Sequence, residues 1–274
     1  MNAAERNSSQ PTPARALLPA RALLEVEKIG ISFGGLKAVR DFSLQLPERK
    51  LYGLIGPNGA GKTTVFNLLT GVYRAASGRI RLADHNLVGR KPHQVAAAGL
   101  ARTFQNIRLF AGLSVLDNVR LACQLRGKHG LFRTLFRTPG YHAQEELFRE
   151  KALRLLRLFD LEDWAEEPAN SLSYGHQRRL EIARALATAP KVLLLDEPGA
   201  GLNSQEKREL ASTIQHIRDA FQVSILLIDH DMGLVMNICE RVTVLDYGVT
   251  IAEGPPEQIQ NDPKVIAAYL GDED

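Results

Sequence analysis

The sequence predicts an α/β fold: a core built on a mostly parallel sheet, an N-terminal antiparallel β part and an inserted helical lobe. Three observations predict it. First, the strand-like Leu51-Tyr52-Gly53-Leu54-Ile55 runs into the glycine-rich Gly56-Pro57-Asn58-Gly59-Ala60-Gly61-Lys62-Thr63, then into the helix-like Thr64-Val65-Phe66-Asn67-Leu68-Leu69. Second, Val192-Leu193-Leu194-Leu195 and Ile225-Leu226-Leu227-Ile228 are apolar runs of strand length, as strands buried on both faces of a parallel sheet are. Third, residues 84–170 read mostly as amphipathic helices, a change of pattern inside the α/β alternation.

Residues 56–63 fit the phosphate loop G-x-x-x-x-G-K-[ST] in the strand, loop and helix context that this motif requires. The glycines let the backbone turn tightly and bring its N–H groups against an anion. The helix that follows aims its unsatisfied donors and its partial positive end at the same place. Gly56, Pro57, Asn58, Gly59, Ala60, Gly61, Lys62, Thr63 and Thr64 are therefore candidate ATP-phosphate ligands. Lys62 can reach the β- and γ-phosphates, and Thr63 can offer its hydroxyl to Mg²⁺.

The chain has 274 residues and 45% apolar content, enough for one large α/β domain with a full core. Its net charge is +3, from 34 basic and 31 acidic side chains, so nothing in the balance calls for nucleic acid. Cys123 and Cys239 are the only cysteines, which suits a reducing compartment such as the cytoplasm better than a disulfide scaffold. The apolar runs fall far short of the roughly 20 residues needed to span a bilayer. Membrane association is expected only through a partner.

Residues 1–22, rich in Ala, Pro, Ser and Arg, read as a mobile tail before a domain over 23–274. Short strands follow at Glu25-Val26-Glu27-Lys28-Ile29 and Phe42-Ser43-Leu44-Gln45-Leu46. Phe33, beside Gly34 and Gly35, fits two readings: a face for an adenine ring, or a core residue at a strand end. Within the lobe, helices are expected over 114–125 and 144–161. Between them the repeated Leu-Phe-Arg-Thr of 131–138 fits either a basic, aromatic membrane contact or a solvated excursion. Asp196 and Glu197 close the strand 191–197, and in a doubly wound sheet ligands gather at such carboxyl ends. Asp196 can hold Mg²⁺ and Glu197 can orient or deprotonate a water, although the pair alone also fits an acidic turn capping a helix. His230, in Asp229-His230-Asp231, ends a similar strand, where its imidazole can meet a γ-phosphate. A hairpin-like Asp246-Tyr247-Gly248-Val249 and two short helical stretches within 255–274 finish the chain.

A second motif, Leu172-Ser173-Tyr174-Gly175-His176 followed by Gln177-Arg178-Arg179, resembles the signature of the nucleotide-binding subunits of ABC transporters, whose usual form is Leu-Ser-Gly-Gly-Gln. The resemblance covers roughly residues 24–254. It implies that Phe33 stacks on adenine and that Gln105, in Thr103-Phe104-Gln105-Asn106, lies near Mg²⁺. It also implies that Asp196 and Glu197 are the metal-holding and catalytic acids, 200–203 a loop to the partner subunit, and His230 the switch histidine. Tyr174 and His176 depart from the usual signature, and Asn203 stands where Asp is usual. Ser173 and Gly175 remain, so a hydroxyl, backbone N–H groups and a helix start can still cradle phosphate.

More narrowly, residues 101–110, the insertion at 127–142, Ala200-Gly201-Leu202-Asn203 and Ala267-Ala268-Tyr269-Leu270-Gly271 are similar to the longer of the two ATPase types in branched-chain amino-acid importers. That resemblance implies transmembrane permease subunits, a second ATPase subunit, and a periplasmic or extracellular solute-binding protein as partners. It implies a peripheral position on the cytoplasmic face of the membrane. ATP is then expected between the phosphate loop of one subunit and the signature of another, with Glu197, Lys62 and His230 acting in hydrolysis. Alternatives are a transporter ATPase for another solute, a soluble ABC-type mechanical ATPase, against which the absence of twin cassettes or a long coiled coil speaks, and a non-catalytic ATP-binding module, against which Glu197 and His230 speak.

Overall fold

The structure, a computed structural model, describes residues 22–126 and 139–270. The tail before residue 22, the repeats at 131–138 and residues 271–274 lie outside the described residues. The chain opens with an antiparallel pair, β1 (Ala22–Phe33) and β2 (Leu36–Pro47), turning at Gly34 and Gly35. It enters the phosphate loop from β3 (Leu51–Ile55) and leaves it through α1 (Lys62–Leu69). β4 (Ser77–Leu82) and the two-residue β5 (His85–Asn86) return to the first pair, giving a four-stranded antiparallel sheet ordered β2-β1-β4-β5. Next come α2 (Pro92–Ala98) and β6 (Leu100–Arg102), then three lobe helices that pack on one another: α3 (Val115–Cys123), α4 (Pro139–Leu158) and α5 (Tyr174–Ala187).

The second half alternates β7 (Val192–Asp196), α6 (Ser204–Phe221), β8 (Ser224–Ile228) and α7 (Met232–Ile238). It closes with the hairpin β9 (Arg241–Asp246) and β10 (Val249–Gly254), followed by α8 (Pro256–Gln260) and α9 (Pro263–Leu270). The large sheet is ordered β10-β9-β3-β8-β7-β6 and is parallel except at its β9-β10 hairpin. Residues 84–170 hold the helices α2 to α4. They also hold β5 and β6, and β6 pairs in parallel with β7. Three residues are too few for a periodic signal, so the neighbouring strand, not local pattern, makes Leu100–Arg102 extended.

Side-chain alternation divides the large sheet between two cores. Leu51, Leu193, Leu195, Ile225 and Leu227 join the core shared with the helices α3 to α7. Leu54, Val192, Leu194, Leu226 and Ile228 join the core shared with α1 and the antiparallel sheet. Every residue of β7 and β8 is buried. At about 1.5–3 kcal/mol for each fully buried aliphatic side chain, these strands are where the fold is hardest to open. The acids at 196 and 197 hang from that rigid centre. Cys123 and Cys239 are buried and unpaired. No helix among the described residues is long and apolar enough to cross a membrane.

Candidate active site

The phosphate loop is shaped by two close approaches of backbone. Gly56 has φ 149°, and a Cβ there would lie 1.9 Å from the Leu245 carbonyl oxygen at the end of β9. Gly61 has φ 104°, and its Cβ would lie 2.7 Å from the Ala38 carbonyl oxygen. No side chain can be added at either position without moving main chain. Gly61 is also the N-cap of α1, so no side chain caps that helix, and its first turn holds no acid. The first-turn donors and the helix's positive end are thus left to an anion without competition from a cap or an acid of the helix itself. Lys62 is 7% exposed, and its ammonium donates to the carbonyls of Gly56 at 2.7 Å and Pro57 at 2.8 Å. Burial lowers the Lys62 pKa, while the nearby charges of Glu197 and Asp196 raise it. Both acids are therefore within electrostatic reach of the loop.

Asp196 ends β7 at 2% exposure. Its Oδ2 accepts a bond of 2.6 Å from Arg102 Nη2, and its N–H donates to Thr103 Oγ1 at 3.3 Å. Arg102 in turn donates to Asn67 Oδ1 on α1 at 2.7 Å, and its guanidinium lies over the rings of Phe66 and Phe104. Arg102 carries no signal of its own in the sequence. An arginine at the end of a three-residue strand looks like any surface residue until the β7-β6 pairing sets it beside Asp196.

Glu197 has φ 47°, the left-handed region, at a cost of about 1–3 kcal/mol for a residue with a Cβ. Its N–H donates to the Ile228 carbonyl at 2.7 Å, which ties the strained residue to the end of β8. Gln105 Nε2 donates to Glu197 Oε2 at 2.8 Å, and His230 Nδ1 lies 3.9 Å from the same oxygen. Three residues predicted from three separate loops thus meet at one carboxylate.

Other predicted residues lie apart within this chain. Phe33, 43% exposed, rests edge-on against Tyr73 with ring centroids 5.1 Å apart. Ser173 and Gly175 line a cavity of about 350 Å³ with Tyr174, Gly201 and Leu202. Pro57, Asn58, Gly59 and Ala60 line a different one of about 500 Å³ beside Tyr247 and α9. Ser173 is the N-cap of α5, its hydroxyl accepting the N–H of His176 at 3.4 Å. The departures from the usual signature have local roles here. The Tyr174 hydroxyl accepts from Arg178 at 3.2 Å, and the His176 ring packs 4.4 Å from that of Trp164. Asn203 caps α6, accepting from the N–H groups of Gln205 and Glu206, a task Asn performs as well as Asp.

The donor set expected for Mg²⁺ consists of oxygens: the Thr63 hydroxyl, the Gln105 amide oxygen and the Asp196 carboxylate. That chemistry fits a hard cation that keeps several waters. With Gln105 Nε2 turned to Glu197, its amide oxygen remains for a metal, and Asp196 would share its charge between Arg102 and the ion. Among the described residues, no cluster of three or more His, Cys, Asp or Glu forms a metal cage of protein ligands alone.

The family described as "ABC transporter" matches residues 39–200, and that described as "Branched-chain amino acid ATP-binding cassette transporter" matches residues 249–274. The chain is 46% identical over 250 residues to the high-affinity branched-chain amino acid transport ATP-binding protein LivG of Escherichia coli K12, covering 91% of this chain and 98% of that one. It is 44% identical over 252 residues to BraF of Pseudomonas aeruginosa, a protein of the same description, covering 92% and 99%. The crystal structure of the ADP conformation of MJ1267, an ATP-binding cassette of an ABC transporter, superposes with a TM-score of 0.78 at 30% identity over 92% of this chain and 99% of that one. Phosphate loop, strand-end acids and these likenesses together mean that the chain belongs to the family of ABC transporter ATP-binding proteins.

Proposed function

We propose that this chain is the ATP-hydrolysing subunit of an importer for branched-chain amino acids, bound to the cytoplasmic side of transmembrane permease subunits. The observation that carries the hydrolysis is the meeting of Gln105, Glu197 and His230 at one carboxylate within electrostatic reach of Lys62. The phosphate loop and the start of α1 bind the triphosphate through backbone N–H groups, and Lys62 turns from the Gly56 and Pro57 carbonyls to the β- and γ-oxygens. Mg²⁺, held by Thr63, Asp196 and Gln105, would supply charge neutralisation at the phosphate oxygens. Glu197 orients the attacking water in line, and His230 stabilises the charge that develops on the γ-phosphoryl group. Phe33 lies on the exposed end of β1, where it can receive the adenine.

Ser173 and Gly175 line another cavity, which supports their serving the nucleotide of a second ATPase subunit; ATP would then hold two subunits together, and hydrolysis would release them. An apolar groove of about 490 Å³ between α2, β6 and the lobe, with Phe104, Phe110, Leu121 and Leu125 on its walls, supports docking of a permease segment beside Gln105. A solute-binding protein would act through that permease. The solute rests on the names of the relatives and on the match at 249–274. In a strain lacking this chain, uptake of labelled leucine should fall at least about tenfold, and wild type but not Glu197→Gln should restore it. Unchanged leucine uptake would remove the assignment of solute.

A further inference from the structure

Among the described residues, Arg178 on α5 is the largest of the fully buried side chains, and a guanidinium so placed needs acceptors. It finds them on several segments. Its Nη1 donates to the carbonyl of Phe104 at 2.7 Å. Its Nη2 donates to the carbonyls of Gln105 at 3.1 Å and Glu197 at 3.3 Å, and to the Tyr174 hydroxyl. Its counter-ion is Glu181, one turn along the same helix, 3.5 Å away and 1% exposed. Glu181 holds the same loop in the opposite sense: Oε1 accepts the N–H groups of Phe104 at 3.4 Å and Arg108 at 3.2 Å. Burial pushes the Glu181 carboxyl up, and those N–H groups and Arg178 pull it back.

We infer that Arg178 and Glu181 form a buried clamp through which α5 sets the positions of Gln105 and Glu197, so that Arg178 is a positioning residue for hydrolysis. The inference rests on the role proposed above for Glu197. Both backbone groups of that strained residue are tied: its N–H to Ile228 on β8, its carbonyl to Arg178 on α5 and to the Ala200 N–H at 3.2 Å. A shift of α5 against the sheet therefore reaches Glu197 as a rotation of its backbone, and it carries the backbone of residues 104–108 along. The pair is an expensive way to fill the space. Buried ion pairs are often no more stable than apolar residues of the same volume, and Arg178 Nε has no hydrogen-bond partner among the described residues. What the pair adds is directional hold on three carbonyls and two N–H groups. Because α5 starts at Ser173, a subunit pressing on that helix end would be felt at the water-orienting carboxylate.

Arg178→Met alone would leave the Glu181 carboxylate buried without its counter-ion and destabilise the fold, so the informative variant is Arg178→Met with Glu181→Leu, which fills the same space with apolar groups. In the purified full-length chain with ATP and Mg²⁺, the double variant should stay folded, with one cooperative thermal transition at a lower midpoint because the carbonyls and N–H groups it releases lose their partners, and should hold KM for ATP within about threefold. Its kcat should fall at least about tenfold, within the roughly hundredfold that a 1 Å misplacement costs. Wild-type kcat, or a rise in KM with kcat intact, overturns the clamp. Glu197→Gln measured alongside keeps the two readings distinct. Inactivity there with full activity in the double variant removes the clamp alone; activity in Glu197→Gln removes the role beneath it and the clamp with it.

Discussion

Glu197→Gln should bind ATP, hydrolyse it at least about a hundredfold more slowly than wild type, and accumulate as an ATP-bound dimer. The substitution keeps size and shape, so the hydrogen bond with Gln105 and the tie to Ile228 survive with the amide turned suitably. What disappears is the negative charge that orients a water and accepts its proton, a contribution typically of 10²–10⁴-fold. Binding should persist because the phosphate loop, Lys62 and Thr63 are untouched. Single-turnover hydrolysis and size-exclusion chromatography with ATP check both halves. Wild-type turnover would remove Glu197 from the chemistry.

Lys62→Ala should instead fail at the binding step. The ammonium now donating to Gly56 and Pro57 is the one cation of the loop itself, and a charge-assisted hydrogen bond is worth about 1.5–3 kcal/mol. Its loss should weaken ATP binding about 10- to 100-fold by that arithmetic. The difference is readable as stability: a ligand at a hundred times its Kd raises stability by about 2.7 kcal/mol. At that ATP concentration wild type should show a clear rise in thermal midpoint, and Lys62→Ala a smaller one, equivalent to about 1.4 kcal/mol if binding is tenfold weaker and about 0.4 kcal/mol if it is a hundredfold weaker. An equal rise in both proteins would place the triphosphate away from the loop.

The parts of the fold legible in the sequence are those whose signal is local. The phosphate loop announces itself because strand, glycines, lysine and helix are contiguous, and β7 and β8 because burial on both faces requires unbroken apolar runs. The carboxyl ends of those strands in turn point to Asp196, Glu197 and His230. Other features depend on contacts far apart in sequence. β6 is extended only because β7 lies beside it, and Arg102 meets Asp196 across 94 positions. Arg178 reads as one basic residue in a Gln-Arg-Arg run, and only tertiary packing buries it against the carbonyls of residues 104, 105 and 197. The left-handed backbone of Glu197 is likewise invisible in a sequence, since nothing but its fixed neighbours makes that conformation tolerable.

The most direct measurement is a crystal structure of full-length Glu197→Gln grown with ATP and Mg²⁺. The γ-phosphate should lie within hydrogen-bond distance, about 2.6–3.2 Å, of Lys62 Nζ and the His230 imidazole, facing residue 197, with Ser173 of a second copy closing the other side. A triphosphate seated elsewhere, with Lys62, residue 197 and His230 turned to separate surfaces, would contradict a shared site.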